Sequence, residues 1–181
     1  MNILIEEVIE PLHDFYAMRS KRKSELVLFI LIPLLIGIAL FVFETCFNTI
    51  RKINIDDFVL DLLNQMITVL TLFISFSMAY LSIIITSSSD SVNKMKKTES
   101  KYYSLGKERC TLFQVLMSDL TYTLIIEIVF LLFIFFEKFL IYMCSIVGLR
   151  VLVSIDVCLM VHVLILLMIT VKNIYFSFWK G

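Results

Sequence analysis

The sequence has little glycine, little proline and no excess of either charge. Among 181 residues there are four glycines and two prolines, a composition that argues against collagen-like, linker-rich and disordered classes. Sixteen basic residues balance sixteen acidic ones, so the chain has no net positive field to attract nucleic acid. Charged residues make up 18% of the chain, against about 25% in a typical soluble domain. These shortages argue against a soluble DNA-binding domain.

Common catalytic motifs are missing as well. The sequence contains no P-loop, no dinucleotide fingerprint, no His-Glu-x-x-His and no Gly-x-Ser-x-Gly. It has two histidines, His13 and His162, and no Cys-x-x-Cys beside either of them, which is a poor basis for a metal site. We therefore predict no enzymatic activity, no metal and no cofactor.

Apolar side chains are abundant and occur in long runs. They make up 60% of the residues, and two runs, 26–43 and 62–89, carry no charge at all. About 20 apolar residues cross a ~30 Å hydrocarbon core as a helix. We predict an all-α, polytopic membrane protein with four transmembrane helices, about residues 26–44, 63–86, 114–136 and 151–171.

The basic residues predict the orientation of these spans. Twelve of the sixteen lysines and arginines flank the spans on one side, and such residues stay in the cytoplasm. Both termini and the loop of about 87–111 should therefore be cytoplasmic. We divide the chain into an amphipathic segment with a basic anchor, a membrane domain and a cytoplasmic tail, at residues 1–24, 25–171 and 172–181.

Two cytoplasmic segments offer charged surfaces to a partner. Apolar residues recur at helical spacing in residues 4–16, which predicts an amphipathic helix, bent or interrupted at Pro11. Its polar positions are acidic, which favours contact with protein over anionic lipid: Glu6, Glu7, Glu10 and Asp14. The basic run from Arg19 to Lys23 should hold the end of this helix at the lipid headgroups. The central loop is either a solvated, topology-setting loop or a docking surface for a cytosolic partner or anionic headgroups, through Lys94, Lys96, Lys97 and Lys101.

Ionisable residues inside the spans are the first candidates for function, because each costs about 2.5–3.5 kcal/mol at mid-bilayer. Asp119, Thr123 and Glu127 share one face of the third span. Glu127 and His162 lie near the middle of the third and fourth spans, so we predict that they contact each other, within one chain or between protomers. The alternatives are structural hydrogen bonding to a helix backbone, an ion- or proton-coupled role, and a metal site.

The second span has polar residues along one face. This polar row consists of Asp61, Asn64, Thr68, Thr71, Ser75 and Ser82. Such residues let helices approach closely and hydrogen-bond across the contact, or they line a water-filled path. Either way we expect this face to avoid lipid. Two of the four cysteines, Cys46 and Cys144, fall on the predicted outer side, where a disulfide is possible.

One stretch resembles a known group of proteins. Residues 72–136 run from Leu72-Phe73-Ile74-Ser75-Phe76-Ser77 through Ser87-Ser88-Ser89-Asp90 to Tyr122-Thr123-Leu124-Ile125-Ile126-Glu127. In organisation, size and number of predicted spans, the chain is similar to small four-span membrane proteins of bacterial defence islands, in particular the KwaA family of the Kiwa antiphage system. Similar four-span accessory proteins occur beside some RNA-targeting CRISPR systems.

The resemblance implies a homo-oligomer that senses infection at the inner membrane and scaffolds a cytosolic DNA-binding effector, KwaB. The chain itself would contact the lipid bilayer and this partner, and not nucleic acid. The residues alone leave open an oligomeric pore or ion channel that depolarises the cell, with the polar row or Glu127 along its path. A transporter is a weaker alternative, because no internal repeat relates the two halves of the chain.

Overall fold

The computed structural model describes residues 2–19, 23–47, 55–103 and 108–179. The described part is almost entirely helical, which confirms the predicted all-α class. Its helices are α1 Asn2–Arg19, α2 Lys23–Phe47, α3 Ile55–Thr86, α4 Asp90–Lys97, α5 Leu112–Leu140 and α6 Ile146–Trp179. A short antiparallel hairpin, β1 Glu99–Tyr103 with β2 Arg109–Thr111, precedes α5 and was not predicted.

Three helices in the described part are long and apolar enough to cross a membrane, over Ser24–Cys46, Asp57–Thr86 and Ile146–Tyr175. They contain the first, second and fourth predicted spans and indicate a membrane protein. α5 contains the third predicted span and has buried residues from Val115 to Glu137, while Leu132 and Phe136 on its other side are exposed. The fourth crossing and the orientation stay predictions.

The long helices pack in a row, in the order α2, α6, α5 and α3. The core between them is apolar, with Leu63 and Leu70 of α3 against Phe130 and Ile134 of α5 and Val163 of α6. Because α2 and α3 stand at the two ends of the row, each keeps one face without an intrachain neighbour. The face of α2 that remains exposed is apolar, as expected of a helix in contact with lipid.

The described part of the predicted loop of 87–111, residues 87–103 and 108–111, is folded. Ser89 caps α4, its side chain accepting from the backbone N–H of Val92. Val92 and Met95 are buried against Ile84 of α3 and Leu116 of α5. Thr111 and Gln114 form a capping box at the start of α5. Together α1, α4 and the β1–β2 hairpin cover one end of the bundle, and we call these elements the cap and the opposite end of the bundle the far end.

The far end is also more ordered than the sequence indicated. The predicted outer loop of 137–150 consists of the last turn of α5, a single 3-10 turn at Ile141–Met143 and the first turn of α6. Ile141 is buried there, whereas Tyr142 and Met143 are exposed. The connection is therefore a tight helical hairpin.

At Gly37, α2 closely approaches α6. A Cβ built on Gly37 would lie 3.0 Å from the Cβ of Cys158 and 3.0 Å from the backbone oxygen of Ser154. The helices have no room for a side chain here, and small residues commonly make such contacts between membrane helices.

Gly37→Ala should therefore lower the thermal midpoint of the purified protein, because overpacking costs about 1–3 kcal/mol. Gly148→Ala is the matched control, since its Cβ would be 3.4 Å from the nearest side chain, at Cys144. That substitution should leave the midpoint unchanged or raise it slightly, because alanine is the better helix former. Equal midpoints for the two variants would show that α2 does not approach α6 in this way.

Candidate functional site

A buried ion pair joins the cap to the membrane helices. The Arg19 guanidinium donates to Oδ1 of Asp119, and the side chains are 1% and 2% exposed. Nδ2 of Asn173 donates to the other oxygen of Asp119 at 2.6 Å. These three residues, which we call the Arg19 cluster, come from α1, α5 and α6. The cluster therefore fastens three elements that are far apart in sequence.

Aromatic rings enclose the Arg19 cluster. The guanidinium carbon of Arg19 lies 3.9 Å from the centroid of the Phe15 ring, and that ring stacks on Tyr122 at 3.7 Å. The hydroxyls of Tyr16 and Tyr122 are 2.8 Å apart. A ring face attracts a cation, and a carboxylate partner offsets the loss of hydration. Together they make burial of Arg19 tolerable, so Arg19 itself is not placed for the predicted contact with headgroups. The side chains of the other basic residues of that run, Lys21, Arg22 and Lys23, lie outside the described residues.

α1 packs along its apolar face and runs without interruption through Pro11. Of its predicted docking residues, Glu10 is exposed and Asp14 is half-buried, whereas the side chains of Glu6 and Glu7 lie outside the described residues. Glu10 and Asp14 border a cleft of about 440 Å³ between α1 and α5. Cys110 also lines it, and burial, followed by the charge of Asp14, raises the pKa of its thiol. The thiol is thus a poor nucleophile.

The predicted lysines lie on the surface of the cap, and all four are exposed: Lys94, Lys96, Lys97 and Lys101. Nζ of Lys96 lies 5.0 Å from the centroid of the Phe113 ring. The hairpin beneath Lys101 is tied to α2, because the Tyr102 hydroxyl donates to Oε2 of Glu25 at 3.0 Å. Burial, and then the charge of Glu25, raise the pKa of Tyr102 to about 12, which keeps the hydroxyl a donor. The four lysines are therefore carried by elements that pack on the bundle, α4 and the β1–β2 hairpin.

Glu127 and His162, predicted to meet, have different partners within the chain. The fully buried Glu127 accepts from the Ser77 hydroxyl at 3.3 Å, on α3. Nδ1 of His162 is 3.0 Å from the backbone oxygen of Phe29, on α2. The two residues are on faces turned toward opposite neighbours in the row of helices. The contact of His162 with the backbone of Phe29 is the structural hydrogen bond to a helix backbone that was one of the alternatives for this residue.

The polar row of α3 lies outside the packed core of the chain. All six residues, Asp61, Asn64, Thr68, Thr71, Ser75 and Ser82, are exposed. The hydroxyls of Thr68, Thr71 and Ser75 donate to backbone oxygens one turn earlier, at 3.0, 2.7 and 2.8 Å. Asn64 accepts from Nζ of Lys138 at 2.6 Å. Apart from this bond to α5, the row faces away from the packed core, because α3 ends the row of helices and turns its apolar face inward.

Sequence reasoning missed a pair of buried acids at the far end. Glu137 of α5 and Asp156 of α6 are each 0% exposed, and their carboxyl groups lie within hydrogen-bonding reach of each other. The available signal was Asp156 itself, the sole acid in the apolar run of the fourth span. Glu137 escaped notice because it directly follows the predicted end of the third span.

The cysteines are all free thiols, so the disulfide considered possible between Cys46 and Cys144 is not formed. Cys46 is exposed near the end of α2, while Cys144 packs against the first turn of α6 beside Gly148. No group of three or more His, Cys, Asp and Glu side chains in the described ranges is arranged to hold a metal ion.

Comparison with known proteins returns no match: no family model, no curated protein and no solved structure is similar to this chain. The fold and the site thus define the class directly, a helical membrane protein whose cap is fastened by a buried ion pair. The resemblance to the KwaA family rests on the organisation of the sequence and enters below as a proposal.

Replacing Arg19 should release α1. Arg19→Met leaves Asp119 buried without its cation, and breaking a buried pair in this way costs about 3–5 kcal/mol. Cys110, 2% exposed in the α1–α5 cleft, is the native reporter. Its labelling by a maleimide, followed by mass spectrometry of its peptide, should become roughly tenfold faster or more.

Lys97→Met is the matched control, because Lys97 is an exposed cation on the same cap. Its labelling rate should equal that of the unmodified protein. Unchanged labelling of Cys110 in Arg19→Met would mean that the ion pair does not hold α1 in place.

Proposed function

We propose that the chain is a membrane-embedded subunit of an antiphage defence system of the KwaA type. In this proposal α2, α3, α5 and α6 cross the bacterial inner membrane, with both termini and the cap in the cytoplasm. The chain is a homo-oligomer that senses infection at the membrane and scaffolds a cytosolic DNA-binding effector similar to KwaB. It works without enzymatic activity and without a cofactor.

The folded cap is the observation that carries the proposal. A loop that only sets membrane topology needs positive charge and no structure. Here α4 is capped, its apolar side is buried and its lysines project from the surface. The exposed acid Glu10 lies on α1 of the same cap. A surface with fixed charges of both signs suits recognition of a protein, since complementary charge selects the partner and orients it.

The Arg19 cluster supports a sensing role. It bonds α1 of the cap directly to α5 and α6 of the bundle. A change in the packing of these two helices therefore alters the bonds that hold α1. A signal passes from the membrane helices to the docking surface only through an element that contacts both, and α1 is such an element.

The alternative is an oligomeric pore, and one observation favours it. The polar row of α3 is exposed on the chain and would be costly in contact with lipid. A path through a single chain is blocked, because Phe130 and Ile134 separate Glu127 from Glu137 on the buried face of α5. Any pore would therefore form between protomers, with the polar row along it.

Docking is tested by reversing one charge on the cap. The tagged chain is expressed with the product of the neighbouring reading frame, and the complex is purified from membranes. Lys97→Glu should weaken this complex roughly tenfold, which corresponds to about 1.4 kcal/mol. Lys172→Glu makes the same charge change at an exposed position of α6, outside α4, and it should leave the complex intact.

Equal binding by both variants would contradict docking on α4. The pore alternative makes a different prediction for the purified chain in liposomes without any partner. Ion conductance there, abolished by Ser75→Leu in the polar row, would favour the pore and overturn the scaffold.

A further inference from the structure

Glu137 and Asp156 form an isolated acidic pair at the far end of the bundle. Each side chain is 0% exposed, and the two carboxyl groups lie within hydrogen-bonding reach of each other. None of their four oxygens has an N–H or O–H donor among the described residues. A hydrogen bond between the two carboxyl groups therefore requires a proton on one of them.

Among the described residues, the surroundings of the pair supply no compensating charge. Apolar core residues near this end include Ile134, Ile141 and Val153. The other charged side chains that the structure describes toward this end are Glu44, Asp57, Asp61, Lys138 and Arg150. The two basic ones are engaged elsewhere: Arg150 acts on Glu44, and Lys138 donates to Asn64. Asp57 and Asp61 are exposed on α3.

Electrostatics limits the protonation states of such a pair. Two carboxylates that share a dry site cannot both ionise, since each disfavours the charge on the other. Two neutral carboxylic acids would leave no ionic hydrogen bond to offset the burial of four oxygens. One shared proton gives a charge-assisted O–H···O⁻ bond, which is short and roughly twice as strong as a neutral one.

We propose that Glu137 and Asp156 form a proton-binding site, which holds one proton between two carboxyl groups and thereby joins α5 to α6. The ligand is the proton itself, taken up as the chain folds and released when the solution at the far end becomes alkaline. Release leaves two carboxylates facing each other in a low-dielectric core and pushes α5 and α6 apart. The assignment rests on this pair alone and is independent of the antiphage role.

The sign of the pH dependence follows from proton counting. The separated, hydrated carboxyl groups of the unfolded chain lose their protons at about pH 4, so at neutral pH the folded chain keeps one proton that the unfolded chain has already released. Since the folded state then binds more protons than the unfolded state, stability falls as the pH rises. A sensor at the inner membrane could use this dependence to respond to a change in pH on the far side.

Infrared spectroscopy of the full chain in lipid nanodiscs tests the shared proton. All samples carry Glu127→Gln, because the fully buried Glu127 can give a carboxyl band of its own. With Glu137 and Asp156 intact, the chain should show a C=O stretching band of a protonated carboxyl group at neutral pH. Glu137→Gln and Asp156→Asn should each remove this same band completely, because the amide donates to the remaining carboxylate and replaces the proton. Asp61→Asn, at an exposed acid of α3, is the matched control and should leave the band unchanged.

Two outcomes would overturn the site. A band that survives both substitutions would show that the pair holds no proton. Loss of half of it in each variant would show two separate acids without a shared proton. If a variant does not fold, the chain with both acids intact is measured across a range of pH. Its thermal midpoint should fall from neutral to alkaline pH, over the same range in which the carboxyl band disappears. A midpoint that stays constant while the band disappears would contradict the proposal.

Discussion

The structure depends on the buried ion pair between Arg19 and Asp119. A charge in an apolar interior is tolerated only with a partner and further hydrogen bonds, and here Asn173 and the ring of Phe15 complete its surroundings. Because the pair links α1 to α5, it fixes the position of α1 on the bundle. The acidic surface of α1, and any role it has in binding, depend on this connection, whereas α4 is held by its own buried residues Val92 and Met95.

The same requirement explains why α5 lies inside the row of helices. Its buried face carries three acids at different levels, Asp119, Glu127 and Glu137. Each is paired with a different element: Arg19 of α1, Ser77 of α3 and Asp156 of α6. A helix with acids along one face cannot turn that face to lipid at an acceptable cost. In this chain α5 has α3 on one side and α6 on the other, and these helices, together with α1, cover its acids.

The long helices and the shared face of Asp119, Thr123 and Glu127 could be predicted, because both follow from hydrophobicity and the helical period. Helix pairing could not. Similar depth was the basis for joining Glu127 to His162, but depth says nothing about which neighbour a helix face meets. Arg19 was predicted at the headgroups, because its partner is 100 residues away in the sequence. The hairpin was missed because its strands are short and polar, without an alternating pattern.

A double-mutant cycle on Arg19 and Asp119 tests the central claim most directly. The free energy of unfolding is measured in a membrane mimetic for Arg19→Met, Asp119→Leu and the double variant. If the pair is buried and coupled, each single substitution costs about 3–5 kcal/mol and the double variant costs little more than either. Single costs that add to within about 0.5 kcal/mol in the double variant would contradict the claim.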